Sequence, residues 1–265
     1  MKTDASWLHR FAIFVALCVL VAIVGGAIVT SLERPIAANA AVSINPAFEF
    51  WHHIAGGLAV ILVLGLAVAV RSQLGWIALA AALIDGALGA AGQAYPQLSG
   101  ILHALLAQVV FGAVAAITVM TSDIWKRGPS PIEDSWRPSM RTLAMAVPAI
   151  ILLQTTLGAS YRYRALGVIW HILDAMIVLL LILIVAVFLV RQFPDHPTLR
   201  PAAIAAAVIT SVQVMLGFTT FMMLILFPET SLAVVTTSVL HVTTGALTFG
   251  AGVVLAIQIR YNVAG

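Results

Sequence analysis

Histidines recur at four sites along this 265-residue chain in a pattern suited to binding a planar metal cofactor. Each site lies in an apolar segment and is followed four positions later by glycine or alanine. Residues four apart lie on one face of a helix, so the small residue leaves a flat surface beside the imidazole. Two facing imidazoles at matched depth are what a bis-histidine haem requires. The pairs are His103/Ala107, His171/Ala175, His241/Gly245 and either His52/Gly56 or His53/Gly57.

Two other interpretations of these histidines are weaker. A zinc or copper site takes three or four His, Cys or carboxylate ligands at one point, whereas the repeat implies two equivalent pairs. Ordinary helix packing also uses small residues four apart and histidines that bond to neighbouring helices. Four such sites at corresponding ends of four segments favour two haems, or one haem and one haem-like substrate.

The second apolar segment begins with further polar groups, in the stretch of residues 49–57. Ionisable side chains in a membrane segment are costly and usually functional. His53 directly follows His52, so either imidazole could be the ligand. Glu49 has no counterpart beside the other three histidine sites. The first half of the chain is therefore the favoured place for chemistry.

The composition predicts the elements that position these residues. The chain is 62% hydrophobic and 9% charged, with a mean hydropathy of +1.09, which is typical of a polytopic membrane protein. A spanning helix needs about 20 mostly apolar residues. We therefore predict an all-α integral membrane protein with eight transmembrane helices and no soluble domain. The eight apolar runs are Phe11–Thr30, Phe50–Val70, Leu74–Gln93, Ile101–Thr121, Leu143–Tyr161, Val168–Val190, Ala202–Phe227 and Val234–Ile259.

The basic residues predict how the helices cross the membrane. With eight spans, ten of the thirteen Lys and Arg residues fall on the side that holds both termini, and only Arg34, Arg162 and Arg164 fall on the other. The positive-inside rule then makes both termini cytoplasmic, and the basic excess reflects orientation rather than nucleic-acid binding. The four histidine sites lie toward the extracytoplasmic side of the cell (inner) membrane. His9 and His196, at cytoplasmic ends, are predicted to be surface residues.

The odd-numbered segments repeat a second pattern. In three of them a polar residue is followed four positions later by glycine, and the first segment has glycines without the polar residue. The shared position of the polar side chains favours a structural role in interhelical hydrogen bonding. The pairs are Asp85/Gly89, Gln154/Gly158 and Gln213/Gly217, and the looser version is Val24-Gly25-Gly26-Ala27.

The two repeated patterns divide the chain into two equivalent halves. Parallel duplication is a common membrane-protein design, so we predict two pseudo-symmetric four-helix bundles. The N-terminal half spans residues 1–122 and the C-terminal half residues 141–265. A polar, proline-containing cytoplasmic linker of residues 123–140 joins them.

The order of these motifs resembles the haem A synthase family, and the resemblance covers nearly the whole chain. It begins with a carboxylate three positions before the second-helix histidine and continues with histidines in the fourth, sixth and eighth helices. The matching motifs are Glu49-x-x-His52, Gln154-x-x-Leu157-Gly158-Ala159 before Arg162, and Gln213-x-x-Leu216-Gly217 followed by Pro228 and Leu240-His241.

The resemblance implies a haem b in the C-terminal half, with His171 and His241 as its axial ligands. Electrons would enter the protein through this haem from a donor that the sequence does not identify. Arg162 and Arg164 precede the His171 helix, where they could pair with haem propionates or simply provide loop charge. Asp174 shares a helix face with His171, and either a proton-relay role or a bond to a neighbouring hydroxyl would explain it.

The resemblance also implies a substrate site in the N-terminal half. His52 and His103 would bracket haem O, whose methyl group is oxidised in steps to a formyl group to give haem A. Glu49 would be the catalytic carboxylate near the reacting group. His53 stands where the family often has arginine, so it remains the alternative to His52. Expected partners are haem O, haem O synthase, the assembly of a terminal oxidase, membrane lipid and an electron donor, in a homo-oligomer or a larger complex.

Two other functions compete with this expectation. The N-terminal half lacks the cysteine pair that many family members carry in the first outer loop. This departure favours a b-type dihaem electron-transfer subunit, linked to quinol and without haem-modifying activity. A transporter built on the duplicated bundle would instead use Asp85 and Asp174 as intramembrane carboxylates. The haem content of the purified protein separates the transporter from the other two.

Overall fold

The computed structural model describes residues 5–32, 46–91, 96–134 and 139–264, and Arg34 lies outside these ranges. Within them, eight helices are long and apolar enough to cross a membrane. The prediction of an all-α membrane protein with eight transmembrane helices is confirmed. In chain order the helices are α1 (Ala5–Leu32), α2 (Pro46–Val70), α3 (Gln73–Ala91), α4 (Pro96–Met120), the short α5 (Asp123–Lys126), α6 (Met140–Arg162), α7 (Val168–Gln192), α8 (Leu199–Leu226) and α9 (Leu232–Asn262).

Local sequence signals explain where several helices begin. Pro46 and Pro96 are the first residues of α2 and α4, and proline suits the first helical turn because its missing N–H would be unpaired there anyway. The hydroxyl of Ser139 accepts a bond from the Thr142 N–H at the start of α6. Ser231 caps α9 in the same way. These signals start α2, α4 and α9 before their apolar runs, so His52, His103 and His241 lie inside their helices, whereas His171 lies in the first turn of α7.

The long helices form two rings of four. In the first bundle each of α1 to α4 contacts its two neighbours in the ring, and α6 to α9 make the same contacts in the second bundle. The bundles meet where α1 contacts α9 and where α4 contacts both α6 and α9. Because the number of spans is even, the start of α1 and the end of α9 lie at one end of the molecule. We call it the terminal end, and the opposite one the histidine end.

The fourth helix of one bundle packs reciprocally against the fourth helix of the other. A Cβ added to Gly112 of α4 would lie 2.5 Å from Phe249 Cε1, and one added to Gly250 of α9 would lie 2.8 Å from Phe111 Cε1. Phe111 and Gly112 stand eight and nine positions after His103, and Phe249 and Gly250 stand at the same distances after His241. Reciprocal contact between equivalent residues is typical of a two-fold arrangement. The sequence repeat therefore has a structural counterpart at the boundary between the bundles.

Each bundle is packed most densely toward the terminal end. The two clusters of buried apolar side chains come mostly from the parts of the helices nearest the termini. The histidine end is left with less side-chain filling, as a cofactor site requires. The largest fully buried side chains are Val15, Val63, Leu66, Val114 and Ile117 in the first bundle, and Val147, Ile182, Val185, Leu189, Leu199, Leu255 and Ile259 in the second.

The linker is held at the terminal end by the last turn of α9. The Ser130 N–H donates to Asn262 Oδ1 at 2.8 Å, and the Ile132 N–H donates to the Asn262 carbonyl at 2.8 Å. The Tyr261 hydroxyl donates to the Trp125 carbonyl, and the two rings stack with centroids 3.8 Å apart. The described part of the linker therefore packs against the C-terminal helix; residues 135–138 lie outside the described ranges.

Two histidines that were predicted to be surface residues take part in packing instead. His196 is only 9% exposed. Its Nε2 donates to the Ser130 carbonyl at 3.0 Å while its Nδ1 accepts from the Leu199 N–H at 3.2 Å. His9 Nδ1 donates to the Thr118 carbonyl at 2.9 Å and joins α1 to α4. The prediction was wrong because the acceptors of these two histidines, the Ser130 and Thr118 carbonyls, lie far away in sequence, where no local pattern reveals them.

Candidate functional site

The four histidines of the repeat meet as two pairs, one in each bundle. The ring centroids of His52 and His103 lie 6.1 Å apart, and those of His171 and His241 lie 6.0 Å apart. An imidazole nitrogen lies about 2 Å from a metal that it ligates, so two imidazoles on opposite sides of one metal have centroids on the order of 6 Å apart. Both pairs therefore have the spacing that one bis-histidine metal centre needs.

Each of these imidazoles packs against a glycine of the preceding helix. A Cβ added to any of the four glycines would lie between 2.8 and 3.4 Å from Cε1 of the histidine. The glycines of the odd-numbered segments thus make room for the histidine of the next helix, a role that the sequence analysis missed. The contacts are Gly26 with His52, Gly89 with His103, Gly158 with His171 and Gly217 with His241.

The preceding helix also provides a hydrogen-bond acceptor. His103 Nδ1 donates to the Asp85 carbonyl at 3.1 Å, and His171 Nδ1 donates to the Gln154 carbonyl at 3.2 Å. In each case the carbonyl belongs to the residue four positions before the contacting glycine. Metal-ligating histidines usually donate their second nitrogen to such an acceptor. With Nδ1 occupied in this way, Nε2 is the nitrogen available to a metal.

The other two histidines lie near the corresponding backbone carbonyl of the preceding helix but do not bond to it. His52 approaches the Ala22 carbonyl, and His241 approaches the Gln213 carbonyl. Both Nδ1 atoms are buried but neither attains hydrogen-bond geometry. Each pair therefore combines one histidine anchored through Nδ1 with one that is held mainly by packing.

The polar side chains at the repeat position do not behave alike. Asp85 Oδ1 lies 2.8 Å from His103 Nδ1 without hydrogen-bond geometry, so it adds a charge contact to the bond that Nδ1 makes with the backbone carbonyl. The side-chain oxygens of Gln154 and Gln213 are buried and have no hydrogen-bond partner. The interhelical bonds predicted for these oxygens are therefore not formed, because the backbone carbonyls take that role.

A cavity of about 390 Å³ surrounds His171 and His241 in the second bundle. This volume falls within the roughly 300–1,000 Å³ that is typical of cofactor and small-molecule sites. Ala175 and Gly245, one turn beyond the histidines, line it together with many apolar side chains. The imidazole spacing, the small residues and the apolar lining all fit a haem held between His171 and His241.

Four buried polar oxygens without hydrogen-bond partners also belong to residues lining this cavity. They are the side-chain oxygens of Gln108, Gln154, Thr210 and Gln213. Gln108 is 5% exposed and Thr210 is 1% exposed. Leaving a buried acceptor unpaired costs about 1–3 kcal/mol, so these groups favour an occupant or ordered water in the cavity. Gln108 belongs to α4, so the first bundle contributes to the wall of the second site.

The two arginines predicted near the second site occupy different environments. Arg162 lines the cavity, and its Nη2 donates to the Ala27 carbonyl at 3.1 Å and to Ser31 Oγ at 2.6 Å on α1. Arg164 is exposed in the turn after α6, with a φ of 59°, and is not among the residues lining the cavity. Arg162 is thus placed both at the second site and against the first bundle.

In the first bundle, the structure distinguishes the two adjacent histidines. His52 is half-buried, contacts Gly25 and Gly26, and pairs with His103, whereas His53 is exposed. Glu49 is exposed in the first turn of α2, one turn before His52. The carboxylate and the inward imidazole therefore lie on neighbouring turns of one helix.

Asp174 lies beside the second site without lining its cavity. The residue is 7% exposed, and its Oδ2 has no hydrogen-bond partner. The neighbouring hydroxyl that the sequence analysis allowed as a partner does not bond this oxygen. Among the described residues, no group of three or more His, Cys, Asp or Glu could hold a metal ion, which leaves the histidine pairs as the candidate ligands.

Comparison of the sequence with models of protein families and with curated proteins finds no match. The geometry of the two histidine pairs is therefore the main basis for a functional proposal.

Proposed function

We propose that this protein is a haem-binding membrane oxidoreductase of the haem A synthase type. The second bundle binds haem b between His171 and His241, and the first bundle binds haem O between His52 and His103. The main support is that two imidazole pairs with centroids 6.0 and 6.1 Å apart occur at equivalent places in the two bundles. The protein would lie in the inner membrane with its termini in the cytoplasm and both sites toward the other side.

In the second bundle the protein holds and shields the cofactor. A bound haem b supplies one-electron transfer. His171 and His241 fix its orientation, and the glycine contacts keep both rings at the required spacing. Arg162 offers a guanidinium at the cavity wall for charge-assisted bonds to propionates. The apolar lining excludes water, which strengthens those bonds.

In the first bundle the protein orients the substrate and provides a group that accepts a proton. His52 and His103 would hold the macrocycle of haem O, whose methyl group is the one to be oxidised to the formyl group of haem A. Glu49, one turn from His52, would accept a proton released there. His53 is exposed, with its ring centroid 6.0 Å from that of His52 on the same helix, and it is not a ligand in this proposal.

A pyridine haemochrome spectrum of the purified protein tests the haem sites. We expect two haems per chain when haem O is supplied, and His52→Ala and His171→Ala should each empty one site. His53→Ala is the matched control and should retain both, because its ring is exposed. Purified protein without a Soret band would contradict the proposal and favour a transporter.

Co-expression with a haem O synthase tests the reaction itself. Extracted pigments should contain haem A or a hydroxylated intermediate, and Glu49→Gln should reduce their yield while leaving haem binding intact. If both sites hold haem but neither product forms, the reaction assignment is wrong.

One observation favours a second candidate, a b-type dihaem electron-transfer subunit linked to quinol. The two histidine pairs are nearly equivalent in spacing and in their glycine contacts, as two resident haems would require. Stable retention of haem b in both bundles through purification would support this candidate over the enzyme.

A further inference from the structure

We propose that Asp85 makes His103 a stronger electron donor to a bound haem than the other three histidines are. A haem bound in the first bundle then has a lower reduction potential than a haem bound in the second bundle. This inference rests on the proposed function, since it concerns the haems that the two pairs would hold. Asp85 is a positioning residue: it touches the ligand and not the iron.

The contact between Asp85 and His103 is close and partly sheltered. Oδ1 lies 2.8 Å from Nδ1, and the side chains of His103 and Asp85 are 29% and 17% exposed. The carbonyl of the same residue lies 3.1 Å from the same nitrogen. Oδ1 lacks hydrogen-bond geometry toward the ring, so the contact acts through charge. A negative carboxylate this close to an imidazole favours positive charge on the ring, and such a partner raises the basicity of a ligating imidazole.

The other three histidines lack this partner at the equivalent position. His171 bonds to the backbone carbonyl of Gln154, whose side chain is an uncharged amide. His241 faces Gln213, and His52 faces Ala22. One carboxylate in one helix thus breaks the equivalence of two otherwise similar sites.

The direction of the effect follows from charge. A more basic imidazole stabilises ferric iron, which carries one more positive charge than ferrous iron, so the ferrous form is harder to reach. The surroundings of an axial ligand are one of the means by which a protein sets a haem potential. With Asp85 in place, an electron shared between the bundles rests on the second-bundle haem, and the first-bundle haem favours the oxidised state.

A spectroscopic redox titration of the haem-loaded full chain tests this inference, with dithionite as the reductant and ferricyanide as the oxidant. Single-site variants His52→Ala and His171→Ala assign the two midpoints. Asp85→Asn should raise the first-bundle midpoint by at least about 59 mV, a tenfold change in a one-electron reduction equilibrium. Gln154→Glu places a carboxylate beside His171 and should lower the second-bundle midpoint. Asp174→Asn, which removes a buried carboxyl without a contact to His103, should leave the first-bundle midpoint in place.

Unchanged midpoints in both Asp85→Asn and Gln154→Glu would overturn the inference while leaving haem binding established. If Asp85→Asn loses the first-bundle haem, the Gln154→Glu shift alone decides, because that variant changes the other bundle. A protein that binds no haem at all defeats the proposed function and this inference together. The two failures are thus told apart by the Soret band.

Discussion

The absence of a side chain at Gly158 makes room for the His171 ring, and a Cβ at this position would clash with it. A Cβ at this position would lie 2.8 Å from His171 Cε1, so Gly158→Ala must displace the ring. Overpacking of this kind costs about 1–3 kcal/mol, and it would also move the imidazole away from its partner His241. We expect Gly158→Ala to lose the second-bundle haem, measured as haem per chain in the pyridine haemochrome assay.

Gly86→Ala is the matched control for this prediction. It lies in a helix, and a Cβ there would meet nothing within 4 Å. Replacing a helical glycine by alanine is favourable by up to about 1 kcal/mol, so this variant should fold and keep its haem. Full haem content in Gly158→Ala would mean that the ring position does not control the site.

The residue types of the site could be predicted from the sequence, but their orientation could not. The pattern selected the histidines that meet as two pairs in the structure. It left His52 and His53 equal, because neighbouring residues point about 100° apart on a helix whose orientation is set by distant contacts. The pattern also did not reveal that the glycines of the odd-numbered segments contact the histidine rings. A Cβ at Gly56 would meet open space, whereas Gly26 on the preceding helix contacts the His52 ring.

At the scale of elements, the last turn of α9 fastens the linker through Asn262. This side chain is 3% exposed, and its Nδ2 donates to the Gln258 carbonyl at 2.8 Å while its Oδ1 accepts from the Ser130 N–H. Asn262→Ala removes both bonds and leaves buried groups unpaired, at a cost of about 1–3 kcal/mol each. We expect a clear drop in the thermal midpoint of the protein in detergent.

Ser211→Ala is a suitable comparison for Asn262→Ala. Its hydroxyl is exposed and bonds only to the Ala207 carbonyl within its own helix, so its removal should leave the midpoint nearly unchanged. Equal midpoints for the two variants would show that the contact between the linker and α9 adds nothing to stability.

Hydropathy located every transmembrane helix but not the helix ends. The eighth apolar run was predicted over Val234–Ile259, whereas α9 extends from Leu232 to Asn262. The extra residues come from the Ser231 cap and from the polar contacts with the linker, neither of which depends on hydrophobicity. An apolar run marks the part of a helix that crosses the bilayer, and capping residues set where the helix stops.

For the whole molecule, the internal repeat was readable in the sequence, but the way in which the halves pack was not. The Phe-Gly pairs stand at equal distances after the histidines of α4 and α9, a signal that could have been found beside the histidine pattern. Equal spacing alone does not say that Phe111 contacts Gly250, because that contact depends on how two distant helices cross. Packing of small residues against large ones is the usual means of holding membrane helices together.

Because the bundles contact each other along α1, α4, α6 and α9, the linker should not be needed to hold them together. We expect residues 1–134 and 135–265, co-expressed as separate chains, to co-purify through a tag on one of them. A pair that carries Gly112→Ala in one chain and Gly250→Ala in the other places a Cβ within 2.8 Å of each opposing phenylalanine ring, and should associate more weakly. The Gly86→Ala chain is the control and should co-purify fully. Halves that separate without these substitutions would show that the covalent linker, and not the reciprocal Phe-Gly contact, joins the two bundles.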